Sequence, residues 1–291
     1  MVELRKNEQE LTAEIMGKVN LSKDKQVLES KVVNLSKCIV NLSKKANVDI
    51  GSTEAQVVFV IDSSGSMYDV FRDGTLQNVI TTLVPLALTF DDNGKAEVYQ
   101  FNSGCKKVDD LDLNNYEDYV KNCMDTPGST TKYSGPIKAI LEDYFGIKSD
   151  GNNVTYSKPK KTGLFGKLFG KKSEENKEAI VEQTAGSMAD TSEYPVFVLY
   201  ITDGDIDLDD EARMTDLIRE SSNVNCFIQF IGASENKNTQ FKYLRKLDDL
   251  EGRACDNTGF VKFDDLRNIS DTDMYNAVLE QYADWLKVKG F

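Results

Sequence analysis

The sequence predicts an α/β fold: a doubly wound, mainly parallel sheet flanked by helices and preceded by an N-terminal helix. Three apolar runs, at 57–61, 196–201 and 226–231, are rich in β-branched and aromatic residues, which is typical of strands buried on both faces. Segments with helical patterns separate these runs, and this alternation favours parallel strands joined by crossover helices. A chain of 291 residues can also bury one dominant hydrophobic core.

The first fifty residues carry a helical repeat, in which the phrase Val-Asn-Leu-Ser-Lys starts at residues 19, 33 and 40. Apolar side chains step by four and three residues along this segment, which predicts an amphipathic helix. The apolar positions are Leu28, Val32, Leu35, Ile39 and Leu42. We expect the helix to pack onto the following domain, and a short coiled coil with another chain is the alternative. Residues 1–20 are polar and are expected to be loosely ordered.

Local patterns predict the remaining elements, and they divide the chain into an N-terminal unit at 1–50 and a main domain at 51–291. Turn residues and apolar periodicity predict helices and two further strands in the main domain. The helices are expected at 74–90, 114–123, 134–144, 211–221, 241–247 and 271–287, and the strands at 96–101 and 260–261.

The stretch 147–194 fits no helix or strand and is interpreted as an insertion, because it is polar and rich in glycine and lysine. Within it, Lys158–Lys172 contains six lysines and no acidic residue, with two Leu-Phe pairs at helical spacing. Such a segment suits a weak contact with an anionic membrane surface or a partner. The glycines disfavour a helix, so a solvated linker is the preferred interpretation.

Composition excludes several classes of function. The chain has 48 acidic and 35 basic residues, a net charge of −13, which argues against a nucleic-acid partner. It contains no histidine, so Ser-His-Asp triads, HExxH zinc sites and imidazole general bases are excluded. Its five cysteines never occur in CxxC spacing, which fits the reduced thiols of a cytosol-like compartment. Without an apolar leader or membrane span, the expected location is cytoplasmic.

Polar runs follow the first two apolar runs, at the points where the predicted strands end. The run DSSGS occupies 62–66, TDGD occupies 202–205, and GSTT at 128–131 precedes a predicted helix. Ligands of doubly wound sheets bind beyond the carboxyl ends of the strands. We therefore expect these runs to meet at one edge of the sheet.

The side chains in these runs are hard oxygen donors. A tight turn through Gly65 can direct the Ser64 and Ser66 hydroxyls to the same side as the Asp62 carboxylate, with Asp203 and a threonine completing the set. Oxygen donors without nitrogen or sulfur suit Mg²⁺ or Mn²⁺, with Ca²⁺ as an alternative. The set is too small to enclose an octahedral ion, so one coordination position is expected to stay open.

The pattern Asp62-x-Ser64-x-Ser66, with a later threonine and a strand-ending Asp-Gly, resembles the metal-ion-dependent adhesion site (MIDAS) of von Willebrand factor A (vWA) domains. Between residues 24 and 290 the chain is similar to the TerF-like vWA type of bacterial tellurite and toxic-cation resistance, which in turn resembles the copine domain. The similar segments are GTLQ at 74–77, PLAL at 85–88, FDDNG at 90–94, DNTGF at 256–260 and WL at 285–286.

This resemblance implies the vWA fold, a Rossmann-like sheet with a divalent metal at the strand tips. It also implies a protein partner whose acidic residue completes the metal shell, and no catalysis. The expected function is an intracellular adaptor, with stress response or tellurite resistance as the implied setting. Thr131 is preferred as the threonine because Tyr133 follows it, and Thr130 is the alternative. The expected metal ligands are Asp62, Ser64, Ser66, Thr131 and Asp203.

Other interpretations of the same residues remain open at the level of sequence. The serines and Asp62 could cap the helix that follows them, as such residues often do. Asp203-x-Asp205 superficially resembles the acid pair of a Mg²⁺-dependent phosphatase, although no segment supplies the lysine that such an enzyme needs. A peripheral membrane scaffold acting through Lys158–Lys172 is the third alternative. The acidic residues from 203 to 210 fail the EF-hand spacing and are interpreted as a solvated rim.

Overall fold

A computed structural model provides the structure of the chain. The described residues are 4–19, 25–91, 93–150, 153–156, 194–204, 206–234, 239–263, 266 and 268–291. Within these ranges, no helix combines the length and the apolar character that crossing a membrane requires.

The described residues form strands and helices that alternate along most of the chain. The strands are β1 Gln56–Asp62, β2 Glu97–Phe101, β3 Cys105–Lys107, β4 Ile147–Asp150, β5 Asn153–Tyr156, β6 Val196–Thr202, β7 Cys226–Gly232 and β8 Thr258–Lys262. The helices are α1 Glu8–Val19, α2 Lys25–Ala46, α3 Tyr68–Arg72, α4 Thr75–Phe90, α5 Tyr119–Cys123, α6 Ser134–Phe145, α7 Glu211–Ser221, α8 Lys242–Asp248 and α9 Asp271–Lys289.

Six strands form one sheet in the order β3-β2-β1-β6-β7-β8. All neighbours pair in parallel except β3, which runs antiparallel to β2 at the edge. The chain first builds outward from β1 to β2 and β3, and later returns to place β6 on the other side of β1. The strand order therefore reverses between β1 and β6, where doubly wound sheets place their ligands. The predicted fold class is confirmed.

The sheet separates two hydrophobic layers. Val57, Phe59 and Ile61 of β1 contact the layer that contains α2, α4 and α9. Val58 and Val60 contact the opposite layer, which contains α6, α7 and α8. Both faces of the strand are thus covered, because successive side chains of a strand point to opposite faces. This burial explains why β1 reads as a continuous apolar run in the sequence.

The N-terminal helices are part of the larger core. Leu28, Val32 and Leu35 of α2 are fully buried within the same chain, and α2 contacts both α4 and α9. A half-buried ion pair joins Lys31 of α2 to Asp271 of α9 at 2.6 Å. The amphipathic stripe therefore packs onto the chain's own domain, which leaves no apolar face of α2 for a coiled coil.

The expectation that residues 1–20 are loosely ordered is wrong for most of that segment. Residues 8–19 form α1, with Leu11, Ile15 and Val19 buried against the core. The Lys18 ammonium also donates to the main-chain oxygen of Leu88 at 2.6 Å. Polar residues dominate the segment, but three apolar side chains at helical spacing are enough to fix one face.

The predicted insertion begins with regular structure. Strands β4 and β5 pair in antiparallel fashion, with Ile147 opposite Tyr156, and Ile147 is buried in the second layer. The expectation that 147–194 contains no element is therefore wrong for 147–156. The basic segment Lys158–Lys172 lies outside the described residues. The structure also adds short elements that local patterns did not predict, including α3 and β3. It shortens the helix expected at 114–123 to a 3₁₀ turn followed by α5.

Truncating the buried face of α2 is expected to destabilise the whole domain. Leu35→Ala should lower the free energy of unfolding by about 2–5 kcal/mol, the usual cost of removing a buried leucine side chain. Val27 of the same helix is 41% exposed, so Val27→Ala should cost less than about 0.5 kcal/mol. Urea unfolding followed by circular dichroism measures both variants. Equal losses in the two would contradict the packing described for α2.

Candidate functional site

Asp62, the last residue of β1, lies at the centre of the candidate site. Its side chain has no solvent-exposed area. One carboxylate oxygen accepts the Ser64 main-chain N–H at 2.8 Å, and the other accepts the Thr202 hydroxyl at 2.7 Å. Thr202 ends β6, so the carboxylate bridges the two strands between which the strand order reverses.

The three serines of the turn after β1 have different hydrogen-bond partners. Ser63 points back to the sheet, where its hydroxyl donates to the Phe101 carbonyl at 2.9 Å. The hydroxyls of Ser64 and Ser66 lie 3.1 Å from each other. Ser64 is buried and Ser66 is exposed, so the pair runs from the interior to the surface.

The helix-capping interpretation of these serines is not what the structure shows. Ser64 is the N-cap of a 3₁₀ turn at Gly65–Met67, but its side chain makes no capping hydrogen bond. Helix α3 begins after Met67, again without a side-chain cap. The two serine hydroxyls thus contact side chains rather than cap a helix, whereas Asp62 does accept one main-chain N–H as expected.

The loop at 128–131 lies against this turn. The Gly128 N–H donates to the Ser63 carbonyl at 2.8 Å, and the Gly65 N–H donates to the Ser129 carbonyl at 3.2 Å. Thr131 is buried and Thr130 is exposed. The Thr131 carbonyl accepts the Asp207 N–H at 2.9 Å, which joins the loop to the segment after β6. Of the two candidate threonines, Thr131 is therefore the buried one.

Asp203 follows Thr202 and is half-buried. The next residue, Gly204, has a φ of +94°, in the region that favours glycine. A Cβ atom at Gly204 would lie 2.5 Å from the ring of Phe241, so only glycine fits there. This turn fixes where the chain leaves β6 and hence where Asp203 is presented. Asp205 lies outside the described residues.

Burial and charge act together on Asp62. Its pKa is raised to about 7, first by burial and second by the Asp203 carboxylate, although the bonds from Thr202 and Ser64 partly oppose this rise. Two acids held this close favour a cation between them. No group of three or more carboxylate or cysteine side chains that could hold a metal occurs in the described ranges.

Sequence reasoning missed the support beneath Asp62. Thr202 is fully buried and, besides bonding Asp62, its hydroxyl lies 2.7 Å from the Tyr133 hydroxyl. Tyr133 is buried among the rings of Phe101 and Tyr200, and its carbonyl accepts the Tyr200 hydroxyl at 3.0 Å. Thr202 stands next to Asp203 in the sequence. Its contact with Asp62 depends on the pairing of β1 with β6, which local sequence patterns do not reveal.

The acidic rim predicted between residues 203 and 210 is only partly a solvated surface. Asp209 is exposed and pairs with Lys132 at 3.3 Å, as expected for a rim. Asp210 is buried instead, and its carboxylate accepts both the main-chain N–H and the hydroxyl of Ser134 at the start of α6. The rim interpretation is therefore wrong for Asp210, which serves to anchor that helix.

Comparison with known proteins identifies relatives of this domain. A family model described as vWA-TerF-like, a vWA domain found in the TerF C terminus, matches residues 54–290. Protein YcbR of Bacillus subtilis, an uncharacterized protein, is 30% identical over 238 residues, which are 80% of this chain and 78% of YcbR. The predicted TerF-like resemblance is thus confirmed, and the likeness to copine domains stays a prediction.

Two solved structures are also similar. Proximal thread matrix protein 1 from the mussel byssus matches 79% of this chain with 13% identity and a TM-score of 0.45, and the chain spans only 48% of that protein. Manganese-loaded TRAP protein of Plasmodium vivax matches 80% of this chain and 75% of its own, with 13% identity and a TM-score of 0.44.

Removing the charge of Asp62 is expected to stabilise the metal-free protein as the pH rises. A group with a raised folded-state pKa contributes its full stability below the unfolded pKa and loses it as the pH passes the folded value, here about 7. Asp62→Asn should therefore exceed wild type in melting temperature at about pH 8 and differ little only below the ordinary carboxyl pKa of 3.8, at about pH 3.5. Thermal unfolding in EDTA tests this, and a gap that shrinks as the pH rises would contradict it.

A side chain at residue 204 is expected to destabilise the site by steric conflict with Phe241. Gly204→Ala should lower the free energy of unfolding by about 2 kcal/mol or more, from the left-handed φ and the overlap together. A Cβ atom at Gly128, in the same site, meets nothing within 4 Å, so Gly128→Ala is the matched control. Urea unfolding compares them, and equal stability would contradict the glycine requirement at 204.

Proposed function

We propose that this chain, which belongs to the vWA-TerF-like family of vWA domains, is a protein-binding module that depends on a divalent cation. In this proposal it acts as an intracellular adaptor, in the bacterial stress or toxic-cation responses that the TerF likeness implies. The observation that carries the proposal is the pairing of two acids, Asp62 and Asp203, at adjacent strand ends beside the hydroxyls of Ser64 and Ser66, which lie 3.1 Å from each other.

The donor set fits a hard divalent cation. Asp62, Ser64, Ser66, Thr131 and Asp203 would hold it, and all five offer oxygen. Such donors suit Mg²⁺ or Mn²⁺, and Ca²⁺ is the alternative. The raised pKa of the buried Asp62 supports this fit, because a cation would offset both the burial and the repulsion from Asp203.

The number of donors supports binding of a partner. Five side chains that each give one oxygen leave an octahedral ion short of at least one ligand. When bound, the ion would supply positive charge in a protein whose net charge is −13. An acidic side chain of another protein is the ligand that this charge would attract, whereas a nucleic acid would meet repulsion from the rest of the surface.

We propose binding rather than catalysis for this site. Both oxygens of Asp62 already accept hydrogen bonds, which leaves the buried carboxylate poorly placed to move a proton. Lys132, a lysine of the neighbouring loop, is paired with Asp209 and so is not the free cation that a phosphatase would direct at its substrate. We propose separately that the basic segment Lys158–Lys172 makes a weak contact with a membrane surface.

Calorimetric titration of metal-free protein with Mg²⁺ and Mn²⁺ tests the cation site. Wild type should bind one ion, and Asp62→Ala and Ser64→Ala should each weaken binding by at least about tenfold, equivalent to roughly 1.4 kcal/mol. Ser63→Ala is the matched control within the same turn, because its hydroxyl faces Phe101. Thr131→Ala should weaken binding more than Thr130→Ala.

Two results would count against this function. Unchanged metal affinity in both Asp62→Ala and Asp203→Ala would show that the ion binds elsewhere. Turnover of an aryl phosphate in Mg²⁺ that is lost in Asp203→Asn would favour the phosphatase alternative. Circular dichroism of each variant would confirm that the fold persists in either case.

A further inference from the structure

A cleft of ~460 Å³ opens beside the proposed cation site. Its position follows from chain connectivity. Tyr68, on one wall, comes two residues after Ser66, and Pro127, on another, directly precedes the loop at 128–131. Both segments that would hold the cation therefore continue into the walls of this cleft. A partner that reaches the cation can reach the cleft with neighbouring residues.

The walls combine apolar surface with an aromatic side chain at the entrance. Phe71, Val120 and Met124 line the cleft and pack at their backs against the core. Tyr68 lies at its edge and remains 49% exposed, one of the few large apolar side chains of the described residues that solvent reaches to this extent. Tyrosine in this setting, half-exposed beside an apolar depression, is typical of binding surfaces.

Two glutamine side chains hold the cleft open in a defined shape. Gln77 of α4 accepts the Val120 N–H at 3.0 Å and donates to the Tyr116 carbonyl at 2.6 Å. Gln100 of β2 is buried and bonds both the N–H and the carbonyl of Asp125, at 2.9 and 3.0 Å. The wall formed by residues 120–125 is thereby fastened to a helix and to the sheet. A preformed cleft of this kind loses little entropy when it is filled.

The charges around the cleft suit an acidic partner. The lining contains two basic and two acidic side chains, Arg72, Lys121, Asp118 and Asp125. Arg72 pairs with Asp69 and Asp125 pairs with Lys106, so this region is formally neutral on a chain of net charge −13. Lys121 is exposed and makes no ion pair with any residue that the structure describes. An acidic segment is therefore repelled less here than over the rest of the surface, and Lys121 can attract a second carboxylate.

We propose that the cleft receives a large apolar side chain, Leu or Phe, from the same partner segment whose acidic residue completes the cation site. The partner is thus a protein segment in which an acidic residue lies near a bulky apolar one. This inference rests on the proposed function and adds the specificity that a single carboxylate cannot give. Tyr68 and Met124 select the apolar side chain, and Lys121 favours further acidic residues beside it.

Binding of synthetic peptides tests the inference. The probes are short fluorescent peptides of Gly and Ser with one central Asp, and with Leu or Phe placed at each flanking position in turn. In saturating Mg²⁺, fluorescence polarisation should show at least one Leu or Phe position that binds about tenfold or more tighter than its Ala equivalent, as expected for burial of such a side chain. Tyr68→Ala should reduce this preference at least about threefold, while Tyr68→Phe keeps it.

Leu208 provides the matched control. It is 84% exposed and lies on the rim next to Asp207, which bonds Thr131, but it does not line the cleft. Leu208→Ala should leave the preference for Leu or Phe unchanged. A Leu208→Ala effect equal to that of Tyr68→Ala would overturn the assignment of the apolar side chain to this cleft.

The remaining outcomes separate this inference from the function on which it rests. Mg²⁺-dependent binding without any apolar preference would overturn the cleft and leave the cation-dependent module standing. Binding that persists in EDTA and in Asp62→Ala would overturn both. Mg²⁺-dependent dimerisation seen by analytical ultracentrifugation, and lost in Tyr68→Ala, would assign the cleft to a second copy of this chain and overturn the partner proposed above.

Discussion

The parallel pairing of β1 with β6 is the constraint on which the site depends. It sets Ile61 opposite Ile201, so that Asp62 and the residues after β6 emerge at the same edge. The Thr202 hydroxyl then reaches the Asp62 carboxylate across the strand gap. Without this register the Asp203 charge would lie farther from Asp62 and would raise the pKa of Asp62 less.

The same pairing places two carboxylates close together, which lowers the stability of the site when no cation is bound. Buried side chains hold these residues in place. Thr202 is wedged between Asp62 and the hydroxyl of Tyr133, and Tyr133 is enclosed by aromatic rings. Gly204 and Phe241 fill the turn beyond. Such support keeps two like charges close in the folded state, which is the usual trade of stability for function at a binding site.

Local sequence patterns predicted the elements whose burial is complete. The strands β1, β6 and β7 are covered on both faces, so their apolar runs are unambiguous. The patterns failed where a few contacts decide the structure. Three apolar side chains order α1 despite its polar composition, and the exposed β3 forms because β2 offers a free edge. Asp210 was predicted to be an exposed rim residue because its partner, Ser134, is distant in sequence.

For the candidate site, the sequence by itself determined the residue types and their attachment to strand ends. The run DSSGS after one buried strand and Asp203 after another already restricted the chemistry to oxygen donors, since neither contains histidine or cysteine. Only the tertiary structure decided which strands are neighbours and that Thr202 supports Asp62. It also decided that Thr131 rather than Thr130 is buried, and that an apolar cleft lies alongside. The reason is physical: local propensity fixes how a segment folds, whereas contacts between segments far apart in sequence depend on how the whole core packs.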